Sequence, residues 1–331
     1  MASGAADSLQ SIPPTDHSKP LMPPTAATPR DNPPSAPDRL RALLAGEDCL
    51  SMPCCFDALS ARLIEQAGFP LTFMSGFAVS ATRLALPDTG LITVSEMLDQ
   101  GRAICQAVSI PVIGDGDTGH GNPVNVRRTV EQFGRAGFAG VMIEDQVAPK
   151  RCGHTGVKAV VDRAEALARI RAAVEARDAG ADLLILARTD ARGALGLDEA
   201  IWRLRAFADL GADILFLEAP RDEAEMARGC REVPGVHMAN LLAGGLTPIL
   251  PPARLAELGY RLAAYPLALL AVAVAAMRAA LGEMAAGQMP EHQVDFATLR
   301  ALVGFDAYDR LLDAYTAPSA STPPTPKSHK R

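Results

Sequence analysis

The chain lacks several features, and each absence closes off a class. None of its six cysteines (49, 54, 55, 105, 152 and 230) forms a Cys-x-x-Cys pair, which argues against a disulfide framework. A chain of 331 residues that is 48% hydrophobic can build a core without such staples. A reducing compartment, the cytoplasm, is the simplest setting. There is no basic excess: the net charge is −6, which gives no footprint for nucleic acid or an anionic membrane. A small polar substrate suits that balance better.

Targeting and spanning signals are also missing. Met1–Pro14 has neither a basic start nor a continuous apolar run, and Asp7, Asp16 and Asp31 argue against a mitochondrial transit peptide. The one membrane-like stretch, Leu262–Met277, falls short of the roughly 20 residues a bilayer needs, and Pro266 interrupts it. It reads as buried barrel wall.

Residues 1–37 hold nine prolines and almost no periodic apolar pattern, so they cannot offset the entropy of ordering. We expect a disordered Pro-rich arm over 1–38, a folded unit over 39–315 and a disordered tail over 316–331. The folded unit is close to the ~250 residues of one (β/α)₈ barrel.

Within it a unit recurs: a helix-like segment ends in Gly, and a short apolar run follows. Examples are Ala67-Gly68 before Leu71–Met74, Ala136-Gly137 before Gly140–Ile143, and Leu210-Gly211 before Ile214–Leu217. Gly ends helices by adopting the left-handed conformation cheaply, and continuous apolar runs suit strands buried on both faces of a parallel sheet. With Leu50–Cys54, Ile110–Ile113, Leu183–Ala187, Val236–Ala239 and Arg261–Tyr265 there are eight strand candidates. That alternation predicts a closed (β/α)₈ barrel of the α/β class. The runner-up, a doubly wound open sheet, would need a Gly-rich fingerprint after the first strand, and none is there.

Polar residues collect where the runs end: Ser75-Gly76, Asp115-Gly116-Asp117, Glu144-Asp145, Arg188-Thr189-Asp190, Glu218 and Asn240. In a barrel these converge on the C-terminal mouth, where active sites of this fold sit. The bland alternative is strand capping and structural ion pairs, strongest for Glu218 and Asn240 taken singly. Asp115 and Asp117, two apart on one strand, face the same way, and Glu144 lies on the next strand. Carboxylates this close need a cation, and hard oxygen ligands suit Mg²⁺, with Mn²⁺ possible. Such an ion would hold an α-oxo or α-hydroxy acid, and Arg188 could grip a carboxylate. In the loop after strand four, Cys152 is flanked by Lys150, Arg151 and His154, cations that favour a thiolate able to transfer protons. A zinc site there lacks a second ligand pair. His120 reads equally as mouth or cap.

The stretch GDTGHGNPVNVRRTVEQFGRAGFAGVMIEDQVAPKRCGHTGVKAVV, starting at Gly116, closely resembles the isocitrate lyase/phosphoenolpyruvate mutase superfamily. So do SGFAVSATRLALPDTG from Ser75, LARTDA from Leu186 and FLEAP from Phe216. The resemblance covers roughly residues 40–290. It implies a (β/α)₈ barrel with a swapped C-terminal helix in a homotetramer. It implies Mg²⁺ associated with Asp88, Asp115, Asp117 and Glu144, Asp115 most directly. Ser75, Gly76, Gly153, Arg188, Glu218, Asn240 and Thr247 would meet the substrate. Lys150, Cys152, His154 and Glu144 would be catalytic, with Cys152 as general acid. The Cys-Gly-His sequence points to the lyase branch rather than to phosphorus–carbon chemistry. Phe73 stands where methylisocitrate lyases tend to carry Tyr, and Phe77 replaces a Gly, as in the branch that cleaves 2-alkylmalates or oxaloacetate. The resemblance therefore implies a carbon–carbon lyase acting on a substituted malate, with oxaloacetate hydrolysis as the alternative. Thr247-Pro248 would bear on that choice. A barrel that binds a dicarboxylate without catalysis is a third reading.

Overall fold

The computed structural model describes residues 34–150 and 159–316. Eight parallel strands pair in sequence order and close into a barrel: β1 (Leu50–Cys55), β2 (Thr72–Met74), β3 (Val112–Asp115), β4 (Gly140–Glu144), β5 (Leu184–Thr189), β6 (Ile214–Leu217), β7 (Val236–Asn240) and β8 (Tyr260–Tyr265). Leu50 opposite Leu262 and Met52 opposite Ala264 make the closing seam. The strands fall where the apolar runs place them, because each run is buried on both faces.

β5 shows the division of labour. Leu184 and Leu186 point into the barrel with Met142, Ile214 and Phe216, while Ile185 and Ala187 point outward to the helices. Arg188 continues the inward series at the mouth and Thr189 the outward one. The helix Leu197–Asp209 supplies Ile201, Leu204 and Phe207 to the outer layer, and the helix Pro123–Ala136 supplies Val126, Val130 and Phe133. Asn122 caps the latter, accepting from Val124 and Asn125 N–H groups, and Gly137 ends it at φ 100°.

Three expectations need correcting. The folded part begins before residue 39: a helix spans Ala36–Leu44, started by Pro37 in its first turn and by the Ser35 cap. Its Leu40 is fully buried in the barrel-interior cluster. Leu262–Met277 is buried wall only in its first part: β8 is buried, whereas the helix Ala268–Ala285 buries no residue. The apolar composition of that helix therefore serves something other than the barrel's own core. Finally, β3 ends at Asp115, and Asp117 lies beyond it in the left-handed region at φ 50°, so strand alternation is not what unites the two aspartates.

By contact clustering, residues 33–282 form the barrel unit and residues from 283 belong to a second one. The described part of the second contains two helices, Phe296–Val303 and Phe305–Thr316.

Candidate active site

The strand ends deliver their polar residues to one cavity open to solvent. Ser75, Asp88, Asp115, Glu144, Lys150, Arg188, Glu218 and Asn240 line it. The rest of the lining is apolar, including Phe73, Phe77, Phe216, Met238, Leu242 and Leu267. Sequence placed the polar half and the two phenylalanines there; it did not find Leu242 or Leu267, which follow their strands without any marked pattern.

The centre of the polar half is Lys150. Its Nζ lies 2.9 Å from Asp88 Oδ1 and 3.9 Å from Asp115 Oδ2, and pairs with Asp117 Oδ1. Burial opposes its charge, but the surrounding carboxylates, Asp117 first, outweigh burial and hold the ammonium protonated. The same burial pushes Asp117 up to about 7 and Asp88 upward, against the pull of Lys150. Glu144 is pushed well above the carboxylate range by burial, with Arg188 opposing.

Backbone geometry aims Asp115. Its Oδ1 accepts from Asp117 N at 3.0 Å and its Oδ2 from Gly76 N at 3.2 Å. A Cβ at Gly76 would overlap Asp115 Oδ2, so the first residue of the helix Gly76–Leu84 must be Gly for the carboxylate to sit there. Ser75 caps that helix: its Oγ accepts from Ala78 N at 3.3 Å, which leaves the hydroxyl hydrogen available to a ligand.

Arg188 and Glu144 face each other across β4 and β5, with Nε 3.3 Å from Glu144 Oε2. Asp190 holds the guanidinium in a fork: Nε donates to Oδ2 at 2.8 Å and Nη2 to Oδ1 at 3.0 Å. Sequence marked Asp190 only as part of a strand end, although its i+2 spacing from Arg188 was the available signal. Arg188 Nη2 also lies 3.8 Å from Glu218 Oε1, and Asn240 Nδ2 donates to Glu218 Oε2 at 3.5 Å.

Four carboxylates (Asp88, Asp115, Asp117 and Glu144) thus share Lys150 and an arginine that Asp190 also claims. Among the described residues, Glu144 Oε1 is buried without a hydrogen-bond partner. That donor set fits a divalent hard cation. Among the described residues no three His, Cys, Asp or Glu side chains converge on one ion position. An ion here would therefore keep several waters, as Mg²⁺ does.

Not every sequence-predicted residue is brought together. Thr247 is buried with Oγ1 unpartnered, yet it does not line the cavity. Gly76 spends its N–H on Asp115 rather than offering it to a ligand. His120 sits at φ 58° in the loop after β3, with Nε2 buried and unpartnered; burial lowers its pKa despite nearby Asp115. Cys152, Gly153 and His154 lie outside the described residues. On either side of them, Gln146 and Val160 form an antiparallel bridge. The five described cysteines are free, and burial pushes Cys49 up to about 11 and Cys55, Cys105 and Cys230 up to about 12. None of these four carries a ready thiolate.

Comparison with known proteins agrees with this geometry. The family model described as phosphoenolpyruvate phosphomutase matches residues 40–285. The 2,3-dimethylmalate lyase of Eubacterium barkeri is 44% identical over 239 residues, 72% of this chain and 82% of that protein. A probable 2-methylisocitrate lyase of Corynebacterium glutamicum is 40% identical over 85% of this chain and 93% of its own length. Among solved structures, oxaloacetate acetylhydrolase in complex with 3,3-difluorooxalacetate superposes with a TM-score of 0.82 at 34% identity, covering 87% of this chain and 99% of that one. Phosphonopyruvate hydrolase in complex with oxalate and Mg²⁺ gives 0.75 at 30% identity, covering 85% and 99%. The chain belongs to the phosphoenolpyruvate mutase/isocitrate lyase superfamily. It is an enzyme of that superfamily, and its curated relatives place it among the carbon–carbon lyases.

Gly76→Ala tests the aim of Asp115. Misplacing this carboxylate by about 1 Å is expected to cost about a hundredfold in kcat/KM, with an unchanged circular dichroism spectrum. Steady-state rates of the folded variant check this; near wild-type turnover would contradict it.

Proposed function

We propose that the enzyme is a Mg²⁺-dependent lyase, with Mn²⁺ as a substitute, that cleaves a substituted malate into a 2-oxo acid and a monocarboxylate. One observation carries the substrate class: among the described residues, the charged groups of the cavity are accompanied by apolar lining side chains, with Phe73, Phe77, Met238, Leu242 and Leu267 among them. An alkyl substituent suits those side chains, and a third carboxylate would find no counter-charge in them. The similarity to 2,3-dimethylmalate lyase points the same way.

Asp115 would hold the metal directly, with Asp88, Asp117 and Glu144 acting through water. When bound, the ion supplies charge stabilisation for the 2-oxygen and carboxylate of the substrate. Arg188 binds a substrate carboxylate, and the Ser75 hydroxyl donates to the same end of the molecule. Gly76 acts by holding Asp115. Glu218 and Asn240 line the cavity near Arg188, and Thr247 bears on the outcome without lining it. Glu144 Oε1, buried and unpartnered, takes the proton of the 2-hydroxyl; Phe73 has no hydroxyl for that task. As the C2–O bond becomes a carbonyl, the C2–C3 bond breaks and its electron pair passes to C3. Cys152, with Lys150, Gly153 and His154 in its segment, delivers the proton that C3 receives. The cationic flanks of Cys152 and the inert state of Cys49, Cys55, Cys105 and Cys230 support this choice.

Hydrolysis of oxaloacetate to oxalate and acetate is the second reading, favoured by the superposition on oxaloacetate acetylhydrolase. It would use the same metal and Arg188. Assay with Mg²⁺ on 2,3-dimethylmalate, 2-methylisocitrate and oxaloacetate, with product analysis, separates the two. We expect a 2-oxo acid from the alkylmalate, abolition by chelator, and a drop of about 10² to 10⁴ in kcat for Cys152→Ser. No turnover of any of the three, or a Cys152→Ser enzyme as active as wild type, overturns the lyase reading. Oxalate as the sole product replaces it with the hydrolase.

We further propose a cytoplasmic homotetramer with the C-terminal helix exchanged between subunits. By length and composition the helix Ala268–Ala285 is apolar enough to cross a membrane, but its exposed Val272, Met277 and Leu281 suit a subunit contact equally well. Phe296, Leu311 and Tyr315 are likewise exposed on the later helices. Light scattering is expected to give a mass four times 34.8 kDa; a mass of one chain would exclude it.

A further inference from the structure

Behind the active-site wall lies a second polar system that the reaction does not touch. Glu144 faces the mouth, so its neighbour Asp145 points the other way and does not line the cavity. Asp145 is 2% exposed, and both its oxygens are spent on the end of β5 and the adjoining helix. Oδ1 accepts from Asp190 N at 2.9 Å, and Oδ2 accepts from Thr189 Oγ1 at 2.6 Å and from Arg203 Nη1 at 3.0 Å. Arg203, 1% exposed, also donates through Nη2 to Val161 O at 2.9 Å and through Nε to Glu199 Oε1 at 2.8 Å.

The outer layer does not need this ion pair. Ile201, Leu204 and Phe207 of the same helix meet the barrel with apolar side chains alone. A buried ion pair is a poor route to stability compared with well-packed apolar residues, and it must justify itself by what it fixes. What it fixes is Asp190. That residue sits at φ −96°, ψ 6°, just past β5, where sheet pairing no longer sets the backbone, and Asp145 supplies the missing acceptor for its N–H. Asp190 in turn forks Arg188. Without that fork, Glu144 and Glu218 would draw the guanidinium across the mouth. Among the described residues, Arg188 Nη1 has no protein acceptor, so the fork leaves that nitrogen for a ligand.

We propose that Asp145, anchored by Arg203, is a positioning residue for Arg188, acting through Thr189 and Asp190 to keep its guanidinium available to a substrate carboxylate. This rests on the reading of Arg188 as the dicarboxylate grip. It does not depend on whether the bond is cleaved by retro-aldol chemistry or by water.

Thr189→Val removes one hydroxyl and keeps the shape; Thr189→Ser restores it; Asp145→Asn keeps the Asp190 acceptor and discards the charge. Each is compared with Arg188→Lys in kinetics on the turned-over substrate and in calorimetric binding of malate with Mg²⁺. Thr189→Val and Asp145→Asn should raise KM and the malate dissociation constant about tenfold, with kcat within about twofold. Thr189→Ser should return both to near wild type, and the Mg²⁺-induced rise in Tm should be unchanged in all. If Arg188→Lys weakens malate binding but Thr189→Val does not, the relay is wrong and the substrate reading stands. The relay is likewise overturned if KM, kcat and the Mg²⁺ response all deteriorate together in Thr189→Val, because that is a merely structural role. If Arg188→Lys leaves malate binding unchanged, the substrate reading falls and the relay with it.

Discussion

Everything at the mouth depends on keeping four carboxylates buried within reach of one another. Removing such groups from water costs several kcal/mol each unless a counter-charge is close. Lys150 supplies one charge to Asp88, Asp115 and Asp117 together, and Arg188 supplies another to Glu144. Burial still pushes Asp117 up to about 7 and Glu144 well above the carboxylate range, so a divalent cation bound here would favour their ionised forms. Such a site is unfavourable as structure and useful as chemistry: a divalent cation drawn in by the carboxylates would place its positive charge where negative charge develops on a substrate oxygen.

The barrel makes that arrangement affordable. The inner cluster of Met52, Ile113, Leu186, Ile214 and Leu262 and the outer layer of helices pack the strands that carry these polar ends. Asp115 then needs only Gly76 and the turn at Asp117 to aim it. Arg188 needs more, because three acids surround it, and the Asp190 fork settles which of them it serves. Apolar side chains make up the rest of the described lining.

Much of this was legible in the residues. Continuous apolar runs, five of them following a helix that ends in Gly, marked all eight strands, because burial on both faces leaves a pattern that alternation would not. The polar strand ends gave Ser75, Asp115, Glu144, Arg188, Glu218 and Asn240, because polarity is conspicuous after such a run. What stayed hidden depends on contacts distant in sequence. Arg203 lies in an ordinary amphipathic helix, and its burial follows from meeting Asp145, 58 positions earlier. The left-handed turn at Asp117 and the apolar role of Leu242 and Leu267 are set by the closed barrel, and no local pattern announces them. Thr247 shows the converse: a motif position can be recognisable while its side chain does not line the cavity.

The central claim is that the buried acidic cluster and the lyase centre are one site governed by one divalent cation. Titrating the metal-free enzyme with Mg²⁺ while following Tm and alkylmalate cleavage in parallel tests it most directly. One site predicts that both curves rise together and saturate at the same Mg²⁺ concentration. Turnover indifferent to Mg²⁺, or a Tm that does not respond where turnover does, would contradict it.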